Sequence, residues 1–526
     1  MKPIKHVLSV LILVILSAAL FFVALEKASL WDIDEPNNAE CSREMLERHD
    51  FIVPTFNYEL RGDKPVLIYW FMQLSYRIFG INEFSSRFFS PIFGIASVLL
   101  VYLFGCQIFN FETGLWASLI LITTLLFNVS VRIATPDAML IFFINLAIFS
   151  FYLGYSKGKP FYFYLFYIAM ALAVLTKGPM GVVLPLGTVF FFIVIKRQIG
   201  ILREMRIKEG IIIFLILVLP WYTLVSIKTD GKFFSEFIIK HNIYRYLHTM
   251  QGHKGPFFYY LLVLPFGLFP WGGILPFLPF YSYKKMKDAH LFLWIWIILF
   301  TVFFSFARTK LPTYINPIFP GLSLLLAHYI CDGRIEKKWP LNIFLGFNGL
   351  FGLLLLLAGG AALAHFYPRL CWISLIGFLP ILGWLLGLIF YNKGWLRASL
   401  MMQFLVGYLL IFFLVNWAVP AVDKYKPTKS FALMIRKDIK SHEPIICHKY
   451  FQPSLVFYTQ RKIEKIDNIS QLIARVKGCS GAFIITRASQ LKLLKHHLPK
   501  VSVLCCKNGF YVRDRICLLK LRHPFH

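Results

Sequence analysis

Thirteen long apolar runs, separated by polar connectors, dominate the hydrophobic pattern of the 526-residue chain. A helix needs about 20 predominantly apolar residues to cross the hydrocarbon core of a bilayer. The pattern therefore predicts a mainly α-helical, polytopic membrane protein with about 13 transmembrane helices. The predicted spans are 7–24, 88–108, 113–130, 138–155, 160–176, 180–195, 210–227, 257–280, 290–306, 312–330, 341–364, 371–391 and 399–420.

The basic residues of the connectors predict the orientation of these spans. Alternate connectors are short and rich in lysine and arginine, for example 157–159, 196–208 and 393–397, as is typical of cytoplasmic loops. The first run follows Lys2 and Lys5 without a small-residue cleavage site after it, which predicts an uncleaved first span with a cytoplasmic N-terminus. Thirteen spans then place the C-terminal region on the outer face.

The pattern changes near residue 420, where long apolar runs give way to short amphipathic and alternating segments. This change predicts a transmembrane domain over 1–420 and an α/β domain over 421–526 on the outer face, which is the periplasmic face if the protein is in a bacterial inner membrane. Within the second domain, the predicted helices are 429–440, 469–476 and 489–497. The predicted strands are 444–447, 455–459, 482–486, 501–505 and a final pair around 510–519.

Composition supports the membrane class and narrows the partners. Hydrophobic residues make up 58% of the chain and charged residues only 15%, which is far more apolar than a soluble protein. The net charge of +29 lies in connectors and in the C-terminal domain, which favours anionic membrane lipids over nucleic acid. The nine cysteines form no CxxC pair, so a structural zinc site is not predicted, and a disulfide among the last five cannot be assigned from spacing.

Ten of the 26 acidic residues lie between Glu26 and Asp63, in a predicted outer-face loop over 26–87. Two segments of this loop, 41–50 and 66–79, are too short or too polar to span and are predicted to be helices along the membrane surface. Pro36 suits a first helical turn with Asp34 and Glu35 at its positive end. The acids indicate either a solvated loop or an active-site loop whose carboxylates serve a metal, a proton or a sugar.

Further polar residues stand at the predicted outer ends of spans. Asp137 opens one span, where it is either a functional carboxylate or the ion-pair partner of Arg132. Lys177 closes another span and is interpreted as a snorkelling side chain. The remaining candidates, suited to phosphate, protons or metal, are Asp63, Lys64, His241, Arg245, Arg308, Lys310 and Tyr314.

These residues occur in motifs whose order resembles one known family. The chain is similar to the aminoarabinose transferase (ArnT) branch of the GT-C glycosyltransferases, which is more distantly related to protein O-mannosyltransferases. The resemblance runs from the first loop to about Pro320 and rests on Asp34-Glu-Pro, Ala39-Glu, Ser42-Arg-Glu-Met45, Asp63-Lys-Pro, Leu67-Ile-Tyr-Trp70, Thr135-Pro-Asp137, Leu175-Thr-Lys-Gly-Pro179 and Lys310-Leu-Pro-Thr-Tyr314. Two departures stand out: Asp63 replaces the usual glutamate, and Asn37-Asn38 replaces the usual Arg-Tyr.

The resemblance implies a bacterial inner-membrane enzyme of GT-C fold with its active site on the periplasmic side. It implies transfer of 4-amino-4-deoxy-L-arabinose or a related sugar from an undecaprenyl-phosphate carrier to lipid A or another envelope glycolipid. By matching motifs, the catalytic acids are Asp34 and Asp137, the residues at the donor phosphate are Lys64, Arg245 and Tyr314, and the residues for substrate or a divalent metal are Glu35, Asp63 and His241. No cofactor is required by the resemblance, and use of a divalent metal stays open.

Two other functions remain as alternatives. A protein O-glycosyltransferase would use the same chemistry on a peptide hydroxyl. A lipid transporter would carry matched charges in the middle of its spans, and the predicted spans are almost free of such charges. The sequence therefore favours a glycosyltransferase.

Overall fold

The computed structural model describes residues 2–248, 252, 254–284, 287–333, 335, 338–438, 443–477, 479, 481–509 and 514–522. The chain divides into two compact units that interleave in sequence. Unit 1 comprises 1–25, 62–71 and 87–416, and unit 2 comprises 26–61, 72–86 and 417–526. The residues of the acidic loop are thus shared between the two units.

Ten helices of the described residues are long and apolar enough to cross a membrane, and they fall on ten of the predicted spans. They are Ile4–Phe21, Glu83–Ile108, Asp137–Lys157, Pro160–Lys177, Ile207–Lys228, Asp288–Phe306, Pro312–Cys331, Lys338–Phe366, Pro368–Asn392 and Leu396–Asp423. Two further apolar helices, Phe111–Thr123 and Met180–Lys196, are shorter and coincide with two more predicted spans. The polytopic helical fold is confirmed, while the count of 13 stays a prediction.

Two predicted spans are not single helices. The predicted span 113–130 is interrupted at Thr124, whose extended backbone separates Phe111–Thr123 from Leu125–Ser130. The predicted span 257–280 consists of three short pieces, Tyr259–Gly267, Trp271–Phe277 and Leu278–Lys284. In the second of these spans, Pro270 precedes Trp271–Phe277 and Pro276 is near its end, and proline interrupts a helix because it lacks the N–H of a helical hydrogen bond and clashes with the preceding turn.

The acidic loop 26–87 forms three helices, the last of them Glu83–Arg87, and a small hairpin, and its helix Leu67–Phe79 begins in unit 1 and ends in unit 2. The helix Asp34–Glu47 starts with both acids in its first turn, as predicted, and the helix Leu67–Phe79 matches the second predicted helix. The strands β1 (Thr55–Phe56) and β2 (Glu59–Leu60) pair antiparallel around a turn at Asn57 and Tyr58. That these helices lie on a membrane surface stays a prediction.

The rest of unit 2 is a three-layer α/β domain, as predicted. Its sheet has the strands β3 (Ile445–His448), β4 (Ile463–Lys465), β5 (Gly481–Arg487), β6 (Val501–Asn508) and β7 (Arg515–Arg522) in the order β4-β3-β5-β7-β6. β3 is parallel to β4 and β5, whereas β7 is antiparallel to β5 and β6. The helices Thr428–Asp438 and Pro453–Thr459 pack on one face, and Ile469–Val476 and Leu491–His497 on the other.

One local prediction in this domain is wrong, and others fall partly outside the described residues. The segment 455–459 is a helix rather than a strand, because Pro453 suits the first turn of a helix and a short apolar run alone does not distinguish the two structures. β4 was not predicted. Residues 439–440 of a predicted helix and 510–513 of the predicted final pair lie outside the described residues. Cys506 of β6 and Cys517 of β7 form a disulfide.

Candidate functional site

The predicted site residues divide between the two units. Asp34 and Glu35 belong to unit 2, and the other six residues belong to unit 1. Within unit 1, packing connects residues that are as far apart in sequence as Asp63 and Tyr314. The six are Asp63, Lys64, Asp137, His241, Arg245 and Tyr314.

Asp137 is the first residue of the helix Asp137–Lys157, where a carboxylate complements the positive end of the helix dipole. It is buried, and its carboxylate forms an ion pair with the ammonium group of Lys177 and accepts a hydrogen bond from Thr135 Oγ1 at 3.3 Å. Arg132 donates to backbone carbonyls, including that of Phe21 at 2.9 Å. The snorkelling interpretation of Lys177 is therefore wrong, because this side chain pairs with a candidate catalytic acid.

The position of Lys177 depends on the glycine that follows it. Lys177 ends the helix Pro160–Lys177, and Gly178 continues with a φ of 86°, a conformation that favours glycine. A Cβ at Gly178 would lie 2.3 Å from Cζ of Phe237, a residue of the π-helix Glu236–Tyr244. The Lys-Gly sequence at the helix end thus brings Lys177 close to the segment that carries His241 and Arg245. This motif is the signal by which Lys177 could have been recognised as a site residue.

Tyr314 lies beside two cations. The Lys177 Nζ atom is 5.4 Å from the centroid of the Tyr314 ring, and the Arg245 guanidinium carbon is 6.0 Å from it. These distances are typical of cation–π contacts. Tyr314 belongs to a 3₁₀ segment, Pro312–Ile318, in which Asn316 donates a hydrogen bond to the Leu126 carbonyl at 3.1 Å. The aromatic ring therefore joins the Asp137–Lys177 pair to Arg245.

The segment before Tyr314 holds the Arg245 loop in place. Arg308 N–H donates to the carbonyl of Tyr246, and Thr309 Oγ1 donates to the carbonyl of His248, both at 2.9 Å. Lys310 is buried and donates to the Ser305 and Ala307 carbonyls at the C-terminal end of a long helix, where a cation complements the helix dipole. Lys310 therefore has a structural role in its motif.

Asp63 and Lys64, which belong to the first loop, lie near the π-helix that carries His241. A Cβ at Gly62 would lie 2.6 Å from Cβ of Glu236, so only glycine allows the chain to pass this close to the π-helix. Asp63 and Lys64 both act electrostatically on His241, which is five residues further along that helix. The Lys64 Nζ atom lies 3.4 Å from the Asp63 carbonyl oxygen.

Burial lowers the pKa of His241 to about 4, helped by Lys64, Lys240 and Arg245 and opposed by Asp63. His241 is therefore neutral at pH 7. Because the unfolded state binds its proton at an ordinary pKa of 6.5 and the folded state does not, the free energy of unfolding should fall as pH falls from about 6.5 to about 4.

Thermal unfolding of the detergent-solubilised protein between pH 7 and pH 4.5 measures this dependence. We expect a shallower pH slope for His241→Gln than for the parent, whereas the exposed His248→Gln is the matched control. Identical pH slopes for the parent and His241→Gln would contradict the lowered pKa of His241 in the folded protein.

In unit 2, Asp34 is exposed at the start of its helix, whereas Glu35 is buried and accepts a hydrogen bond from the Trp31 N–H at 2.8 Å. This bond gives Glu35 a structural role at the helix start. Other acids of the loop are also engaged internally. Arg43 binds Glu40 and Glu47, and burial raises the pKa of Glu40 to about 7. Several acidic side chains of the loop therefore form internal contacts that stabilise unit 2.

The described residues contain no group of three or more histidine, cysteine or carboxylate side chains arranged to hold a metal ion. Glu35, predicted as a substrate or metal residue, belongs to unit 2, whereas Asp63 and His241 belong to unit 1.

Unit 1 also has an apolar groove, and one of its lining residues is close in sequence to Tyr314, which contacts Lys177 and Arg245. It has a volume of about 430 Å³ and opens to the exterior of the protein. Pro312, two residues before Tyr314, is one of its lining residues, together with Leu125, Leu126, Val129, Tyr259, Leu262, Val263, Phe266 and Gly267. A groove with this lining suits a hydrocarbon chain rather than a sugar.

Comparisons with known proteins give consistent results. Residues 63–223 match the family described as dolichyl-phosphate-mannose-protein mannosyltransferase. An undecaprenyl phosphate-alpha-4-amino-4-deoxy-L-arabinose arabinosyl transferase of Serratia proteamaculans (strain 568) is 30% identical over 405 residues, covering 73% of this chain and 72% of the relative. An uncharacterized protein of Aquifex aeolicus (strain VF5) is 29% identical over 481 residues, or 91% of this chain and 92% of that protein.

A solved structure has the same fold. ArnT from Cupriavidus metallidurans bound to undecaprenyl phosphate superposes with a TM-score of 0.83 at 21% sequence identity, covering 98% of this chain and 99% of that chain.

Proposed function

Because the chain belongs to the ArnT-like branch of the GT-C glycosyltransferases, we propose that it transfers 4-amino-4-deoxy-L-arabinose or a related sugar from undecaprenyl phosphate to lipid A or a similar envelope glycolipid. The chain is a multi-pass inner-membrane enzyme that uses a polyprenyl-phosphate-linked sugar. Our proposal concerns the identity of the sugar, the identity of the acceptor and the periplasmic location of the reaction.

The arrangement around Arg245 is the observation that supports a phosphate ligand best. The buried Nε of Arg245 finds no hydrogen-bond acceptor among the described residues, and the Tyr314 ring beside this guanidinium also contacts Lys177. A buried donor without an acceptor is costly, and a phosphate oxygen would satisfy it with a charge-assisted bond. Lys64 supplies a further cation close enough to His241 to act on it electrostatically.

The donor has both a phosphate and a long hydrocarbon chain, and unit 1 offers complementary surfaces for each. We assign the phosphate to Lys64, Arg245 and Tyr314, and the first isoprenoid units to the apolar groove, whose lining includes Pro312, two residues before Tyr314 in sequence.

In the reaction, the bond between the anomeric carbon and the phosphate oxygen breaks, and a bond from the acceptor oxygen to that carbon forms. The sugar passes through a positively charged, oxocarbenium-like state, while undecaprenyl phosphate leaves with the bonding electron pair. The cations stabilise the leaving phosphate, and the Asp137 carboxylate stabilises the sugar cation or orients the acceptor. A lipid A phosphate is already a competent nucleophile, whereas a hydroxyl acceptor would need a carboxylate base.

Mass spectrometry of lipid A from cells with and without the gene tests this proposal. We expect a gene-dependent mass increase on lipid A that corresponds to one sugar, and transfer by the purified enzyme from undecaprenyl-phosphate-linked sugar. Sugar on secreted peptides with unmodified lipid A would instead support a protein O-glycosyltransferase, in line with the family description that residues 63–223 match.

Lys64→Ala should lower activity roughly ten- to hundredfold, because a charge-assisted contact contributes about 1.5–3 kcal/mol. Lys64→Arg should retain part of the activity, since the charge remains. Transfer rates of the purified variants measure the effect, with the exposed Lys232→Ala as the matched control. Parental activity of Lys64→Ala at normal membrane insertion would remove Lys64 from the donor site.

The C-terminal domain should be periplasmic, because 13 spans from a cytoplasmic N-terminus end outside. A C-terminal alkaline phosphatase fusion should be active, and a C-terminal green fluorescent protein fusion should be dark. Bright fluorescence with an inactive phosphatase would mean that the number of spans is even.

A further inference from the structure

The sheet of the C-terminal domain reverses its strand order at β3. β3 leads through the helix Pro453–Thr459 to β4 on one side, and β4 leads through the helix Ile469–Val476 to β5 on the other side of β3. The first helix packs on one face of the sheet and the second on the opposite face. In open α/β sheets, ligands bind outside the carboxyl ends of the strands at such a reversal.

In this protein, Asp32 of the acidic loop lies at the carboxyl end of β3, where the strand order reverses. Asp32 accepts hydrogen bonds from Ser454 N–H at 2.8 Å and from Ser454 Oγ at 2.6 Å, at the start of the helix that follows β3. Both carboxylate oxygens are used, as a bound ligand would use them. Burial raises the pKa of Asp32 to about 6, while the bonds from Ser454 and the charge of Lys426 oppose the rise.

The residues before Asp32 are bound by the same domain. The Leu30 N–H donates to Tyr458 Oη at 2.8 Å, and Lys426 Nζ donates to the carbonyls of Ser29 at 3.3 Å and Leu30 at 3.1 Å. The ammonium group of Lys426 also lies 4.4 Å from a ring centroid of Trp31. Each of the residues 29–32 thus contacts the C-terminal domain.

The same helix of the domain also supports other parts of the loop. Tyr458 Oη donates to Glu83 Oε1 at 2.9 Å, and Glu83 forms an ion pair with Lys429. Leu30 and Ala39 pack with residues 432, 457 and 458 in one apolar cluster. The loop is therefore fixed by polar and apolar contacts on both sides of residue 34.

We propose that the C-terminal domain binds the first loop as its ligand at this reversal point and thereby positions Asp34 for the reaction. Asp32 and Ser454 are positioning residues in this arrangement. The inference rests on the proposed function, since it takes Asp34 as a catalytic acid. Two residues span at most about 7 Å, so release of Asp32 is transmitted directly to Asp34.

Asp32→Ala in the purified full-length enzyme tests the proposal through two measurements. We expect kcat to fall about ten- to hundredfold, as for a misplaced catalytic group, with little change in the KM for the lipid-linked donor. Amide hydrogen exchange should become faster in residues 26–36. Asp32→Asn should retain most of the activity, because its amide oxygen accepts from the Ser454 N–H and its NH₂ donates to Ser454 Oγ.

Two further variants serve as controls. Glu464→Gln breaks a partly exposed ion pair with Arg475 in the same domain and should leave kcat and exchange at parental values. The double variant Asp32→Ala/Ser454→Ala should lose no more activity than Asp32→Ala, because both changes remove the same contact.

Faster exchange together with a lower kcat supports the proposal. Faster exchange with parental kcat, or unchanged exchange in Asp32→Ala, overturns it. Failure of the proposed function is recognised separately. The proposed function fails if the parental enzyme transfers no sugar or if Asp34→Asn transfers sugar at the parental rate. The hydrogen-exchange measurement reports binding of the loop independently of turnover.

Discussion

Asp137→Asn is expected to lower kcat by about 10²-fold or more, because the amide keeps the shape of the side chain but removes the charge that stabilises the sugar cation. It also leaves the Lys177 cation uncompensated beside Tyr314. The rate of sugar transfer by purified, normally inserted enzyme measures the effect.

The chain offers a matched control for this substitution. Asp288 also begins a long helix and also pairs with a lysine, since its carboxylate lies 2.7 Å from Lys196 Nζ. Asp288→Asn should keep the parental kcat, because it breaks a more exposed lysine–aspartate pair that includes no residue of the candidate site. Equal losses in both variants would indicate a general effect of losing an ion pair rather than catalysis.

A second comparison separates catalysis from structure. If the Asp137–Lys177 pair only stabilised the fold, the neutral double variant Asp137→Asn/Lys177→Gln would recover activity, because no unpaired charge remains. We expect no recovery. Parental turnover by Asp137→Asn itself would remove the residue from the mechanism.

Asp34→Asn is the second substitution with a large expected effect. We expect most of the activity to be lost, by about 10²-fold or more if Asp34 deprotonates an acceptor hydroxyl. With a phosphate acceptor, which needs no strong base, the loss should be smaller. Comparing transfer to lipid A that carries its phosphates with transfer to dephosphorylated lipid A distinguishes the two roles.

The control for Asp34→Asn comes from the same loop. Glu59 is an exposed carboxylate in β2, and Glu59→Gln should transfer sugar at the parental rate. The hypothesis fails if Asp34→Asn, expressed and inserted normally, is as active as this control with both acceptors.

Sequence alone predicted the features that depend on local composition. A span is recognised because every backbone polar group must be satisfied within the segment in a bilayer, so a long apolar run has few structures available. The helix start at Asp34 was also predicted from neighbouring residues, because proline and first-turn acids act locally. Motif order indicated the family for the same reason, since each motif is a short continuous segment.

Tertiary structure decided which of the polar residues meet. Lys177 had the pattern of a snorkelling side chain, and only packing against the π-helix at Phe237 brings it to Asp137 and Tyr314. Likewise, the charge of Asp32 resembled that of its acidic neighbours, yet its contact is Ser454, 422 residues away. Such partners depend on how distant helices and strands pack, and local hydropathy and turn chemistry carry no information about that packing.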